Sequence, residues 1–77
     1  MKGDFVLKNI IKQLREQYGL TQAQLGEKVK VSRQAINAIE TGKFDPSIWL
    51  AYDISKYFNI SIEKVFDFEG SERKSNY

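Results

Sequence analysis

The chain has no cysteine and no histidine among its 77 residues. Without cysteine there are no disulfide bonds or thiolate metal sites, and without histidine the commonest general base and metal ligand is missing. No apolar run approaches the roughly 20 residues that a membrane-spanning helix needs. The N-terminus, MKGDFVLKN, is too polar for a signal peptide. We therefore expect a cytoplasmic protein that is not an enzyme and that uses no metal and no cofactor.

Charge is nearly balanced overall but unevenly distributed along the chain. The net charge is +2, with 29% charged and 42% hydrophobic residues, which suits a single folded domain. Residues 1–43 contain eight Lys or Arg against four Asp or Glu, whereas residues 44–77 contain four against six. The first part is therefore at +4 and the second at −2, which predicts a positive face on a nearly neutral molecule.

Apolar spacing and turn residues predict five short helices in one all-α domain. The first helix has apolar residues at helical spacing up to Tyr18, and Gly19 ends it. Gly42 and Asn59 are expected to end the third and fourth helices. Four hydroxyl residues are expected to cap the N-termini of the remaining helices: Thr21, Ser32, Ser47 and Ser61.

Two further segments leave an alternative open. Residues 5–7 and 66–68 either pair as a small two-stranded ribbon, or the N-terminal arm is disordered. The last helix is expected to run from Ile62 to Phe66. Residues 1–68 are assigned to the domain, and residues 69–77 to a flexible polar tail.

Residues 20–40 resemble two helices joined by a tight turn at residues 30–32. Gly26 allows the helices to approach closely, and Val31 supplies an apolar plug in the turn. Arg can bind guanine, and Gln or Asn can bind adenine, through paired hydrogen bonds in the major groove. Helix N-termini also favour phosphate. Four side chains of these types are left outside the helix pair, which predicts sequence-specific binding of double-stranded DNA: Gln22, Arg33, Gln34 and Asn37.

Three stretches, IKQLREQYGLTQAQL, VSRQAINAIETGKFDPS and FNISIEKVF, make the chain resemble the short single-domain Cro/CI-type (XRE-like) helix-turn-helix regulators. The resemblance covers about residues 9 to 68. It implies a lambda-repressor-like five-helix bundle whose third helix reads the operator in the major groove. It also implies a homodimer on a pseudo-palindromic operator, and most members of the family repress transcription.

The resemblance also implies roles for individual residues. Gln22 would hold a phosphate and support the reading helix, and Thr41 and Lys43 would approach the DNA backbone. Arg15 and Glu40 would form an ion pair between the first and third helices. Five residues would face the groove: Ser32, Arg33, Gln34, Asn37 and Ala38.

The chain departs from the family pattern at two positions in the helix pair. Gly26 stands where the family usually has alanine. Lys30 stands where a glycine commonly takes a left-handed turn, and a non-glycine residue there costs about 1 kcal/mol.

The hypothesis that the protein dimerises depends on three apolar residues in the second half of the chain. Trp49 either covers the edge of the core or anchors the dimer interface, since exposed large aromatics often mark contacts. Ile62 and Phe66 belong either to the core or to the same interface.

Other regulatory roles share this motif, so an antitoxin, a restriction-modification controller and an activator remain alternatives to a repressor. A protein-interaction module that has lost DNA binding is a further alternative. The intact set of DNA-facing residues argues against it, as do Lys28 and Lys43.

Overall fold

The computed structural model describes residues 6–72 and contains five helices and two strands in this range. This confirms the helix-turn-helix bundle and the small two-stranded ribbon. No helix in the range is both long and apolar enough to cross a membrane. The elements in chain order are β1 (Val6–Asn9), α1 (Ile11–Gln17), α2 (Gln22–Val29), α3 (Arg33–Glu40), α4 (Ile48–Phe58), α5 (Ile62–Val65) and β2 (Phe66–Glu72).

The helices begin where the hydroxyl residues predict. At the start of α2 the Thr21 hydroxyl accepts from the Gln24 N–H at 3.0 Å, and the Gln24 side chain accepts from the Thr21 N–H at 2.8 Å. Ser32 and Ser47 cap α3 and α4 in the same way, each accepting from the N–H three residues on. Ser61 precedes α5, but its side chain makes no capping hydrogen bond within the described range. Its hydroxyl is therefore not committed to the helix.

The helix ends are marked by residues with positive φ. Gly19 (+70°) follows α1 and Gly42 (+76°) follows α3, as predicted. Asn59 takes φ of +58° after α4, and Lys30 takes φ of +65° after α2. Lys30 therefore occupies the left-handed conformation that is strained for a residue with a side chain.

We expect Lys30→Gly to stabilise the protein by about 1 kcal/mol, because glycine adopts positive φ without a steric penalty. For a domain of this size the melting temperature should rise by about 4–8 °C. Asn59→Gly is the matched control, and its gain should be smaller, because asparagine already tolerates this conformation. Equal gains at the two positions in thermal unfolding would contradict the expectation.

Gly26 lies at the closest approach of α2 to the turn that follows it. A Cβ atom at this position would lie 2.5 Å from the backbone carbonyl oxygen of Val31. Because that oxygen belongs to the backbone, the turn itself would have to shift to admit a methyl group. Glycine here is thus required by the crossing of α2 and α3, and alanine does not fit this turn without movement.

The core is one cluster to which all five helices contribute. Leu7, Leu20, Val31 and Leu50 pack partly buried around it. The buried members are Ile11, Leu14, Leu25, Val29, Ile36, Ile39, Ala51, Ile54, Phe58, Val65 and Phe66.

Phe66 corrects two expectations. Helix α5 ends at Val65, and Phe66 is already extended at the start of β2. Its side chain is fully buried, with 0% exposed. A partner chain cannot touch it, so Phe66 is a core residue and its placement in a dimer interface is wrong.

The ribbon is antiparallel and irregular. Lys8 pairs with Asp67 and Asn9 with Phe66, and the register then shifts before Val6 meets Glu72. The predicted domain boundary at residue 68 falls inside β2, because residues 69–72 continue the strand. The remainder of the expected tail, residues 73–77, and residue 5 of the expected first strand lie outside the described residues.

Candidate nucleic-acid interface

Helix α3 separates an apolar face from a polar one. Ile36 and Ile39 are buried against the core. Gln34 and Asn37 lie on the other side of the helix at 100° per residue, Arg33 lies beside the apolar stripe, and all three are exposed. The arrangement leaves three polar side chains exposed on the first two turns of α3. Ala38 is half-buried on the same side as Gln34 and Asn37, where it leaves room for a surface to approach.

The two ends of α3 are closed by hydroxyl groups. The Ser32 hydroxyl accepts from the Ala35 N–H at 3.1 Å, which leaves its own proton free for a ligand. At the other end the Thr41 hydroxyl donates to the Asn37 carbonyl at 2.9 Å. Lys43 lies past the helix end, where its N–H donates to the Ala38 carbonyl and its side chain is exposed.

Glu40 is the centre of a charged network behind this surface. Its Oε2 lies 2.7 Å from Nε of Arg15, and its Oε1 accepts from Nη2 of Arg15 at 3.2 Å. Arg15 also donates from Nη1 to the Leu20 carbonyl at 3.0 Å. The side chains of Arg15 and Glu40 are only 11% and 4% exposed. The predicted pair is therefore a largely buried ion pair, made through two hydrogen bonds, that joins α1 to the C-terminus of α3.

Gln22 joins the same network from the start of α2. Its Nε2 donates to Oε1 of Glu40 at 3.0 Å. The Glu40 carboxylate thus accepts three hydrogen bonds and ties α1, α2 and α3 together. Because an amide nitrogen has two protons, Gln22 retains one N–H that is not used by Glu40.

Asn9 is a positioning residue that sequence reasoning missed. Its amide nitrogen donates to the carbonyls of Leu7 and Ile39, at 3.1 and 3.0 Å, and its Oδ1 accepts from the Ile11 N–H at 3.2 Å. One side chain therefore links β1, the start of α1 and the last turn of α3. An asparagine just before a helix is a weak signal for a cap, but the contact with Ile39 has no local signature.

The residues assigned to a dimer interface lie elsewhere, on α4 and α5. Trp49 is 72% exposed, so it does not cover the edge of the core. Ile62 is half-buried and packs against the core from α5. Neither residue is close in sequence to α3.

Comparison by sequence identifies relatives over most of the chain. A family model described as helix-turn-helix matches residues 11–65. An uncharacterized HTH-type transcriptional regulator of Methanocaldococcus jannaschii is 48% identical over 66 residues, which is 86% of this chain and 100% of that protein.

Comparison by structure gives the same architecture. The P22 c2 repressor, solved in complex with a synthetic operator, matches with a TM-score of 0.66 and 30% identity, over 69% of this chain and 80% of the repressor. The restriction-modification controller protein C.AhdI of Aeromonas hydrophila matches with a TM-score of 0.64 and 20% identity, over 70% and 82% of the two chains. At that identity the second match supports the fold alone.

Proposed function

Since the chain belongs to the helix-turn-helix family of Cro/CI-type transcriptional regulators, which bind DNA and are not enzymes, we propose that it is a repressor. It binds a pseudo-palindromic operator as a homodimer, with α3 in the major groove. The observation that carries this proposal is the exposed polar face of α3, formed by Arg33, Gln34 and Asn37 above a fully buried apolar face.

Reading of the bases is assigned to these three side chains. Arg33 suits guanine, and Gln34 and Asn37 suit adenine, because each can make a paired hydrogen bond to the base edge. Arg33 and Gln34 lie at the N-terminus of α3, the end that enters the groove in helix-turn-helix proteins, and Asn37 lies one turn further along. The half-buried Ala38 allows close approach without adding a polar contact.

We assign the contacts with the DNA phosphates to groups at the ends of the helices. The spare N–H of Gln22 at the start of α2, together with the free amides there, suits one phosphate. The hydroxyl proton of Ser32 suits another phosphate at the start of α3. Beyond the end of α3, the Lys43 ammonium suits the phosphate that follows, because only the backbone is within reach of that segment. Thr41 contacts a phosphate in this proposal only after its hydroxyl turns away from the Asn37 carbonyl, to which it donates in the structure.

Two arguments support the proposed homodimer and repressor role: the two-fold symmetry of a palindromic site and the similarity to one solved repressor structure. A two-fold dimer matches a palindromic site, since each protomer reads one half. The neighbour at 30% identity is a repressor solved with an operator. Trp49 and Ile62 are placed near the two-fold axis.

The test distinguishes side chains that contact the bases from side chains that contact the phosphate backbone. Operator sequences are first selected from a random duplex pool, and variants are then titrated on the operator and on random DNA. We expect Gln34→Ala or Asn37→Ala to cost about 1–3 kcal/mol on the operator and much less on random DNA, because only base contacts are lost.

Lys43→Ala is the matched control, because it removes a proposed phosphate contact and no base contact. It should weaken binding to both DNAs by a similar factor, since a phosphate contact carries no sequence information. If Gln34→Ala and Lys43→Ala lost affinity equally on both DNAs, α3 would not be the reading helix. A selection that returned no preferred sequence would overturn the proposal as a whole.

A further inference from the structure

Helix α4 carries an apolar face that nothing in the described part of the chain covers. Ile48 and Trp49 are each 72% exposed and Tyr52 is 48% exposed. The Trp49 and Tyr52 rings lie nearly perpendicular, with centroids 6.2 Å apart. Together the three side chains expose on the order of 400 Å², the size of patch that marks a contact site on a small protein.

A groove begins where this face ends. Tyr52, Lys56 and Ile62 line it, together with Ser55, Asn59, Ile60 and Ser61. Its volume of about 270 Å³ is below the range of roughly 300–1,000 Å³ found for pockets that take drug-sized ligands. The uncommitted hydroxyl of Ser61 stands at its border. The groove suits a single large side chain better than a cofactor.

We propose that two copies pack their α4 helices antiparallel, so that Trp49 of each copy occupies the groove of the other. This rests on the proposed homodimer and names its contact. Trp49, Tyr52 and Lys56 follow the spacing i, i+3, i+7 and form one stripe along α4. A two-fold axis midway between Tyr52 and Asp53 sets Trp49 of one copy opposite Lys56 of its partner.

Charge favours this pairing. The Lys56 ammonium already lies 6.0 Å from the centroid of the Tyr52 ring, and an incoming tryptophan offers it a better aromatic face. In the antiparallel register Asp53 of one copy lies about one turn from Lys56 of the partner, so opposite charges meet across the axis. The two copies of Lys56 are seven residues apart along the seam, about 10 Å, and do not face each other.

The area predicts a weak dimer. Two apolar faces supply about 800 Å², and the groove linings add to this, which brings the interface near the lower limit of about 1,200 Å² for specific complexes. We expect dissociation of the free dimer in the micromolar range, with the operator completing assembly.

The single tryptophan of the chain makes the contact directly measurable. Fluorescence of Trp49 is recorded over a dilution series, alongside sedimentation of the same samples. As the dimer forms, the emission should shift to shorter wavelength and acrylamide quenching should fall, because the exposed indole enters the partner's groove. A dimer in sedimentation with unchanged Trp49 emission and quenching would overturn the inference and leave the homodimer standing.

Variants test the two halves of the contact separately. Trp49→Ala removes the inserted side chain, and Ser61→Arg fills the groove without touching Trp49 or removing a cap. Each should loosen the dimer at least about 30-fold, the effect of losing a central interface residue. Phe68→Ala is the control, since Phe68 is 54% exposed on β2 and lies outside α4.

Helical content and melting of each variant establish that it is folded. Folded variants that dimerise as the wild type does would overturn the contact. A wild type that is monomeric both free and on the operator would instead overturn the homodimer of the proposed function.

Discussion

Glu40→Gln is expected to destabilise the protein by about 3–5 kcal/mol, because it leaves the Arg15 guanidinium buried without a counter-charge. Arg15 is 11% exposed and Glu40 4% exposed, so little water can reach the guanidinium in place of the lost carboxylate. For a domain of this size each kcal/mol shifts the melting temperature by about 4–8 °C, so the melting temperature should fall by at least about 12 °C. Thermal unfolding followed by circular dichroism measures the change.

Glu16→Gln is the matched control for this experiment. Glu16 is exposed on α1, and its charge also acts on Arg15. Because an exposed charge pair contributes about 0–1 kcal/mol, the melting temperature of this variant should stay close to that of the wild type. Equal melting temperatures for Glu40→Gln and the wild type would mean that the pair is not buried in solution.

The ion pair also has a defined pH behaviour. The hydrogen bonds that Arg15 donates to the Glu40 carboxylate raise the pKa of Arg15 above its ordinary value. A group whose pKa is raised by folding stabilises the folded state fully below its unfolded pKa and loses that contribution only as the pH rises through the folded pKa. The pKa of arginine in the unfolded chain already lies far above neutral pH. The stabilisation from Arg15 is therefore expected to be constant through neutral pH.

Operator affinity is expected to fall about 10³–10⁵-fold between 50 and 200 mM salt. A dimer that makes roughly 6–10 phosphate contacts releases a matching number of counterions on binding, and salt opposes that release. Cationic side chains in and just after the α2–α3 pair, with the exposed Lys28 and Lys43 among them, supply these contacts in the proposed complex. Fluorescence anisotropy with labelled duplex, repeated over a salt series, gives the slope.

Two lysine-to-alanine variants test which residues contribute to the salt dependence of DNA binding. Lys43→Ala should flatten it by about one unit per protomer, because one phosphate contact is lost in each half of the complex. Lys64→Ala should leave it unchanged, since Lys64 is exposed on α5, away from the α2–α3 pair. A flat salt response of the wild type would rule out the backbone contact proposed for Lys43.

The sequence by itself determined the secondary-structure elements and the exposed polar face of α3. Helix starts at Thr21, Ser32 and Ser47 depend on a hydroxyl and an N–H three residues apart, which are fixed by local chain geometry. The exposed face of α3 follows from the spacing of Ile36 and Ile39, because at 100° per residue these two define the buried stripe and leave the polar positions outside it. Such features involve neighbours within one or two turns, so they can be deduced before the fold is known.

Only the tertiary structure decided which distant groups meet. The hydrogen bond from Gln22 to Glu40 joins residues 18 apart, and that from Asn9 to Ile39 joins residues 30 apart. The sequence allowed Phe66 to belong either to the core or to the surface. In the structure α5 ends at Val65, and the Phe66 side chain is buried in the core. The groove beside Tyr52 likewise exists only because α5 packs against the end of α4. These contacts depend on how helices cross, and the crossing is set by the packing of the whole core, which no local pattern contains.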